Sequence, residues 1–188
     1  MQWAEEAKSE IANRLEEVFG NKEVRKEWRS HAENEDWLKF GEVYAPYPDI
    51  AVGPFNIHPG EQGEKERKKI KEVYNQHESF FQNLLGKNVH DLRNFLKNNN
   101  PRCLLAIEIE GSRGGKHMMG NIINTSILGY IGIVVVNEKL WEDAERVKKY
   151  LDGASDFKKT EPIAKNAMVF EYNQFMDRLE KTKRSRRG

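Results

Sequence analysis

The chain has 188 residues, 38% of them hydrophobic, and its 31 Lys and Arg against 30 Asp and Glu leave a net charge of +1. This length suits one domain with a substantial core, and the balanced charge excludes a molecule-wide field that attracts nucleic acid or membranes. The single cysteine, Cys103, lies in an apolar run and is expected in the core, without an intrachain disulfide. The longest apolar run is too short to cross a bilayer, so we expect a cytoplasmic protein with no membrane partner.

Apolar periodicity predicts an α/β or α+β fold with a mixed sheet, and we expect the α/β class, in which helices flank the sheet. The first half of the chain is predicted to contain a helix over 3–19, a short helix over 22–32, strands within 37–56, and a long helix over 64–85 followed by a shorter one. The second half is predicted to contain a strand over 103–111, a helix over 116–128, a strand over 130–136, a helix over 138–151, a strand over 166–170 and a helix over 172–181. Strand, helix and strand at the spacing seen after residue 103 predict a βαβ unit with parallel strands.

These elements are expected to form one domain over residues 1–180. Residues 61–100 are interpreted as a charged helical insertion into that domain. The last segment, 181–188, reads KTKRSRRG and predicts a mobile basic tail that makes non-specific phosphate contacts.

Glu108 and Glu110 stand in the apolar strand CLLAIEIEG. Side chains alternate along a strand, so both carboxylates project to one face with their Cα atoms about 7 Å apart. Unpaired charges in such a strand are costly or become protonated, so we expect a positive partner such as Mg²⁺, with Mn²⁺ as an alternative. Asp49 follows Pro48 at the start of a predicted strand and is the candidate third carboxylate, although alone it also fits a turn.

PYPDIAVG, LLAIEIEGS, a helix and YIGIVVV together resemble the PD-(D/E)xK nuclease superfamily over roughly residues 45–136. The resemblance implies a restriction-endonuclease-like core and a Mg²⁺-dependent endonuclease, a phosphodiester hydrolase that acts on DNA as type II restriction enzymes do. It also implies that Asp49, Glu108 and the carbonyl of Ile109 hold the metal. A homodimer is expected by the same analogy.

Two features depart from the family pattern. Glu110 stands where a lysine is usual, which resembles the Glu-x-Glu variant of some type II restriction enzymes, whose second Glu is thought to help activate water. The stretch between Asp49 and Glu108 is also longer than in most members. Two alternatives stay open: Lys116 supplies the missing cation, or the protein is a non-catalytic nucleic-acid-binding or assembly protein that retains the fold.

The loop GSRGGKH after the strand lacks the spacing of a phosphate-binding P-loop. Ser112, Arg113 and Lys116 are instead candidate contacts to a nucleic-acid phosphate, with Lys116 or Arg113 stabilising transition-state charge; the alternative is a solvated turn. Glu10, at the border of the apolar face of the first helix, is a candidate additional acid near the metal. The charged run 64–72 fits a solvated helix face better than a DNA-tracking surface.

A glycosidase that uses Glu108 and Glu110 as acid and base is a weaker alternative. Such chemistry needs two carboxyl groups on opposite sides of a sugar, and neighbours on one face of a strand do not provide that placement.

Overall fold

The computed structural model describes residues 2–29, 47–86, 95, 98–112, 115–156 and 164–184. Within them, one mixed sheet has the order β1–β2–β3–β4–β5, formed by Val24–Lys26, Ile50–Phe55, Cys103–Glu110, Gly129–Val136 and Ala167–Glu171. The helices α1 to α6 are Gln2–Phe19, Gly60–Gln76, Glu78–Leu85, Gly115–Leu128, Trp141–Asp156 and Tyr172–Arg184, with a 3₁₀ turn at Glu138–Leu140. The predicted α/β class, a mixed sheet flanked by helices, is confirmed.

The pairing of the strands decides which residues meet at the edges of the sheet. β2 runs antiparallel to β1 and to β3, whereas β3, β4 and β5 are parallel. β3, α4 and β4 therefore form the predicted βαβ unit, and β4 is apolar on both faces because helices cover both sides of the sheet. Ile50 lies opposite Ile107, which places Asp49 opposite Glu108.

The core has one layer on each face of the sheet. On one face, α1, α2, α3 and α6 cover the strands, and Ile11 and Phe81 join the cluster that contains Ile107. On the other face, α4 and α5 pack on β4, where Ile122 joins the cluster of Val134. In the described part of the chain, no helix is both long and apolar enough to cross a membrane.

Two predictions about local structure are wrong. The charged run 22–32 was expected to be helical, but residues 24–26 form a strand because Val24 enters the core opposite Val52. The helix predicted over 64–85 is divided at His77, whose ring nitrogen Nδ1 lies 3.0 Å from the carbonyl oxygen of Val73 and whose φ is −114°. Side-chain bonding to the backbone there competes with helix continuation.

Several predicted boundaries also move. The predicted tail begins as helix, since α6 runs to Arg184 and the buried hydroxyl of Thr182 donates to the carbonyl of Leu179 at 2.6 Å. The helix predicted over 138–151 starts with the 3₁₀ turn and extends further than expected. Residues 185–188, the strand segment 37–46 and most of the short helix predicted after Gly86 lie outside the described residues.

Candidate functional site

The carboxyl groups of Asp49 and Glu108 lie together where the start of β2 faces the end of β3. These two residues are called the acid pair below. Asp49 Oδ2 accepts a hydrogen bond of 2.8 Å from the backbone N–H of Ile109. Burial raises the pKa of Glu108 to about 9, aided by the negative charge of Asp49 and a hydrogen bond with it, and by the charge of Glu110. At neutral pH Glu108 is therefore protonated and shares its proton with Asp49.

The positive partner of Asp49 is a lysine that was not predicted from the sequence. Lys8 of α1 has a side chain only 7% exposed, and its Nζ lies 3.0 Å from Asp49 Oδ1, 3.0 Å from Glu5 Oε1 and 3.1 Å from Glu27 Oε1. Burial lowers the pKa of Lys8, but the hydrogen bonds to Asp49, Glu5 and Glu27 outweigh it and raise the pKa above its usual range. An ammonium group has three donors, and these three carboxylates engage all of them.

Lys8 and Glu27 were not predicted, and the sequence contains a signal for the first but not for the second. Ala4 and Ala12 stand one helical turn before and after Lys8, and such small neighbours leave room for a buried lysine stem. Glu27 follows β1 with a left-handed backbone, φ 50°, and its N–H donates to the carbonyl of Asp49 at 2.8 Å. This conformation is uncommon outside glycine, and no local sequence signal indicates it.

Glu110 is buried and held by neutral donors. Its Oε1 accepts hydrogen bonds from the backbone N–H of Ser112 at 2.6 Å and from the Ser112 hydroxyl at 2.7 Å, and its Oε2 accepts one from Asn121 Nδ2 at 3.0 Å. A carboxylate has about four acceptor positions, so the residues that the structure describes leave one position of Glu110 open. Ser112 was predicted to contact phosphate, but the turn after β3 directs its donors back onto Glu110.

Among the described residues, the predicted site residues Lys116 and Glu10 do not join the acid pair. Lys116 is exposed at the start of α4, whereas Arg113 lies outside the described residues. Glu10 accepts a hydrogen bond of 2.5 Å from the hydroxyl of Tyr172, and burial together with this bond raises the pKa of Tyr172 to about 12. The structure does not support Glu10 as an additional acid, because residues two apart on a helix, such as Lys8 and Glu10, point about 200° apart.

The donor set at the acid pair fits a hard divalent cation such as Mg²⁺ or Mn²⁺. Asp49 and Glu108 lie opposite each other in the strand register, and a cation in place of the proton of Glu108 would relieve the repulsion of two carboxylates. No group of three or more His, Cys, Asp and Glu side chains suited to a metal occurs among the residues that the structure describes. Water and phosphate oxygens would therefore complete the coordination, as is usual for Mg²⁺.

Comparisons with models of known protein families, with curated proteins and with solved structures find no match to this chain.

Proposed function

We propose that this protein is a Mg²⁺-dependent endonuclease that hydrolyses phosphodiester bonds in DNA, in the manner of a type II restriction enzyme. The observation that carries the proposal is the pair of Asp49 and Glu108, two carboxyl groups that lie side by side where the start of β2 faces the end of β3, next to the buried Lys8. A bound Mg²⁺ or Mn²⁺ would supply Lewis-acid activation of phosphate and water.

Each residue of the site has a role in this proposal. Asp49 and Glu108 hold the metal, and the carbonyl of Ile109 is the candidate third protein ligand. Lys8 forms an ion pair with Asp49 and fixes the direction of its Oδ1. Glu110 uses its open acceptor position to orient the attacking water.

Two cations are candidates for the phosphate contact. Lys116 is exposed at the first turn of α4, where the free N–H groups of the helix also favour anions. Arg113, three residues before Lys116 in the sequence, is the second candidate. Either would stabilise the charge that develops on the phosphate during hydrolysis.

The proposed partner is duplex DNA, and a homodimer is proposed because cleavage of two strands calls for two sites. We also propose a cytoplasmic location. A reducing compartment suits the free thiol of Cys103, which is buried and whose pKa burial raises.

Conversion of supercoiled plasmid to nicked and linear forms tests the activity. Wild-type protein should cut in Mg²⁺ or Mn²⁺ and not in excess chelator, and Asp49→Asn and Glu108→Gln should each lose the activity while remaining folded. Glu180→Gln, at an exposed position on α6, is the matched control and should cut normally. Undiminished cutting by the two site variants would contradict the assignment of the acid pair.

A non-catalytic nucleic-acid-binding protein is the second candidate, and one observation favours it. Lys8 and the shared proton together satisfy the charges of Asp49 and Glu108 within the protein, so the fold does not require a metal at this point. Stable binding of duplex DNA with no cleavage in Mg²⁺, Mn²⁺ or Co²⁺ would favour this candidate over the nuclease.

A further inference from the structure

A basic cleft lies at the C-terminal end of β2, whereas the acid pair lies at the start of this strand. It has a volume of about 370 Å³ and opens between the segment that carries β1 and the first half of α2. Four cationic side chains line it, together with Phe55: Lys22, Arg25, Lys65 and Lys69.

The cleft has two acidic side chains against four cationic ones, so the positive charges are in excess. Glu66 lines the cleft, but its carboxylate already accepts hydrogen bonds from the N–H groups of Ile57 and His58, at 2.8 and 3.1 Å, and contacts the His58 ring nitrogen at 2.6 Å. Glu23 is the other acid of the lining. The three lysines of the cleft form no salt bridge with any residue that the structure describes.

Convergence distinguishes this cleft from an ordinary charged helix face. Lys65 and Lys69 are one turn apart on α2 and share one side of the helix. Lys22 and Arg25 come from a distant part of the sequence, and the fold brings them to the same side. Like charges are not brought together without a cost, which a bound polyanion would offset.

The aromatic ring in the cleft indicates which part of a nucleic acid fits. The guanidinium of Arg25 lies 4.1 Å from the centre of the Phe55 ring, and the ring of Trp28 packs against Phe55 at a centroid distance of 4.6 Å. Both contacts occupy Phe55, so the ring is not a free platform for base stacking. Contacts to the phosphate backbone, which lysine and arginine make without regard to sequence, fit better.

The sheet relates the cleft to the acid pair. Arg25 pairs with Ala51 in the strand register, so these two side chains share a face of the sheet. Asp49 stands two residues before Ala51 and projects to that same face. The strand from Asp49 to Phe55 spans roughly 20 Å, which corresponds to about six base pairs of duplex DNA.

We propose that the basic cleft binds the phosphate backbone of the duplex DNA that is cut at Asp49 and Glu108, about six base pairs from the cleavage point. This inference rests on the proposed function, because both require DNA as the partner. The cleft then anchors the duplex while the acid pair acts on it.

Charge reversal on two faces of the same helix tests the proposal. Lys65→Glu/Lys69→Glu changes the cleft, and Lys68→Glu/Lys71→Glu makes the same change of charge on exposed positions of α2 that do not line it. Fluorescence anisotropy with a labelled 20-base-pair duplex, in chelator and over a salt series, gives the affinity of each variant. Plasmid cleavage in Mg²⁺ is measured in parallel, and circular dichroism verifies folding.

We expect the cleft variant to lower the slope of log affinity against log salt by about two, because each lost phosphate contact removes about one counterion. The control variant should change the slope by much less. Lys65→Gln/Lys69→Gln should show the same loss of slope without introducing new acids. Equal slopes for the cleft and control variants, with cleavage intact, would contradict DNA binding by the cleft but not the nuclease activity.

Failure of the proposed function has a different signature. Salt-dependent binding that is lost in the cleft variant, with no cleavage by any form of the protein, would support the cleft and contradict the nuclease. Absence of duplex binding by the wild type would contradict DNA binding by the cleft.

Discussion

Lys8 is buried beside Asp49, and Lys8→Met removes its charge while keeping most of the side-chain stem. Asp49 would then retain the N–H of Ile109 and the hydrogen bond with Glu108. Hydrogen bonds to charged groups contribute about 1.5 to 3 kcal/mol, and two of the three acids around Lys8 are largely exposed. We therefore expect the free energy of unfolding to fall by about 2 kcal/mol, measured by urea denaturation.

Lys149 provides the control for this substitution. It is 75% exposed, and its ammonium lies 3.8 Å from Glu145. Lys149→Met should change the free energy of unfolding by no more than about 0.5 kcal/mol, because exposed ion pairs contribute little. Equal losses in the two variants would mean that the burial of Lys8 adds nothing to its ion pairs.

Glu108 gives the protein a specific pH dependence. Its folded-state pKa of about 9 lies above the value of about 4.3 expected in the unfolded chain, so the folded state binds this proton more tightly. The contribution of Glu108 to the free energy of unfolding should therefore fall as pH rises from about 4.5 to 9, by at most about 1.4 kcal/mol per pH unit. It should then stay constant above pH 9.

Glu108→Gln is the variant that measures this contribution, since the amide resembles the protonated acid in shape. Relative to the wild type, the variant should become more stable as pH rises across that interval, in metal-free buffer. Denaturation curves at pH 5, 7 and 9 measure the difference. A difference that is independent of pH would mean that Glu108 is ionised in the folded protein.

The residues of the acid pair were predictable because their signals are local. Asp49 follows a proline before an apolar strand, and Glu108 alternates with apolar residues in its own strand, which indicates a partly buried carboxyl group. Lys8 and Glu27 were not predicted, since their contacts depend on how α1 and the end of β1 pack against β2. Side-chain burial of that kind is a property of tertiary structure.

At the scale of elements, the turn between α4 and β4 depends on Asn166, which stands just before β5. Its Nδ2 donates to the carbonyls of Ser126, Gly129 and Tyr130 at 3.0 to 3.3 Å, and its Oδ1 accepts from the Ser126 hydroxyl at 2.6 Å. Asn98 donates to two of the same carbonyls. The amides thus bind carbonyls at the end of α4 and at the start of β4, where the change from helix to strand interrupts regular backbone hydrogen bonding.

Asn166→Ala should therefore lower the free energy of unfolding by about 2 kcal/mol, since it removes several buried hydrogen bonds at once. The loss is limited because Asn98 still serves part of the turn. Thermal or urea denaturation measures the loss, and Asn173→Ala, whose amide makes an exposed bond to Glu171, is the control with little expected effect. If Asn166→Ala were as stable as the control, the turn would not depend on this amide.

The prediction of helices and strands from the sequence is correct where the hydrophobic pattern is strong. β4 is a continuous apolar run between a helix and a polar turn, and both its type and its parallel pairing follow from that pattern. The run at 22–29 is charged and favours a helix locally, but pairing with β2 overrides that preference. At His77 the periodicity continues through the break, so only the contacts of the folded protein reveal two helices.

At the scale of the whole molecule, the sheet carries two features of opposite charge near the two ends of β2. The acid pair lies at its start and the basic cleft at its end. The net charge is only +1, because basic and acidic residues are nearly equal in number, although they cluster at different places on the sheet. A nearly neutral chain can therefore hold both a cation and a polyanion.

Metal binding can be detected without activity, through the stability of the whole protein. A cation that binds only the folded state raises the free energy of unfolding by about 2.7 kcal/mol at a hundredfold excess over its Kd. For a chain of this size we expect Mg²⁺ or Mn²⁺ to raise Tm by about 5 to 10 °C. Asp49→Asn/Glu108→Gln should abolish the shift, and Asp143→Asn, at an exposed position on α5, should retain it.

The pH dependence of this shift connects it to the proton of Glu108. Metal binding must displace that proton, so the affinity should rise with pH up to about 9, the pKa of Glu108, and level off above it. A Tm shift that persists in Asp49→Asn/Glu108→Gln would place the metal elsewhere. A shift of the same size at pH 6 and pH 9 would mean that binding releases no proton, and the acid pair would not be the site.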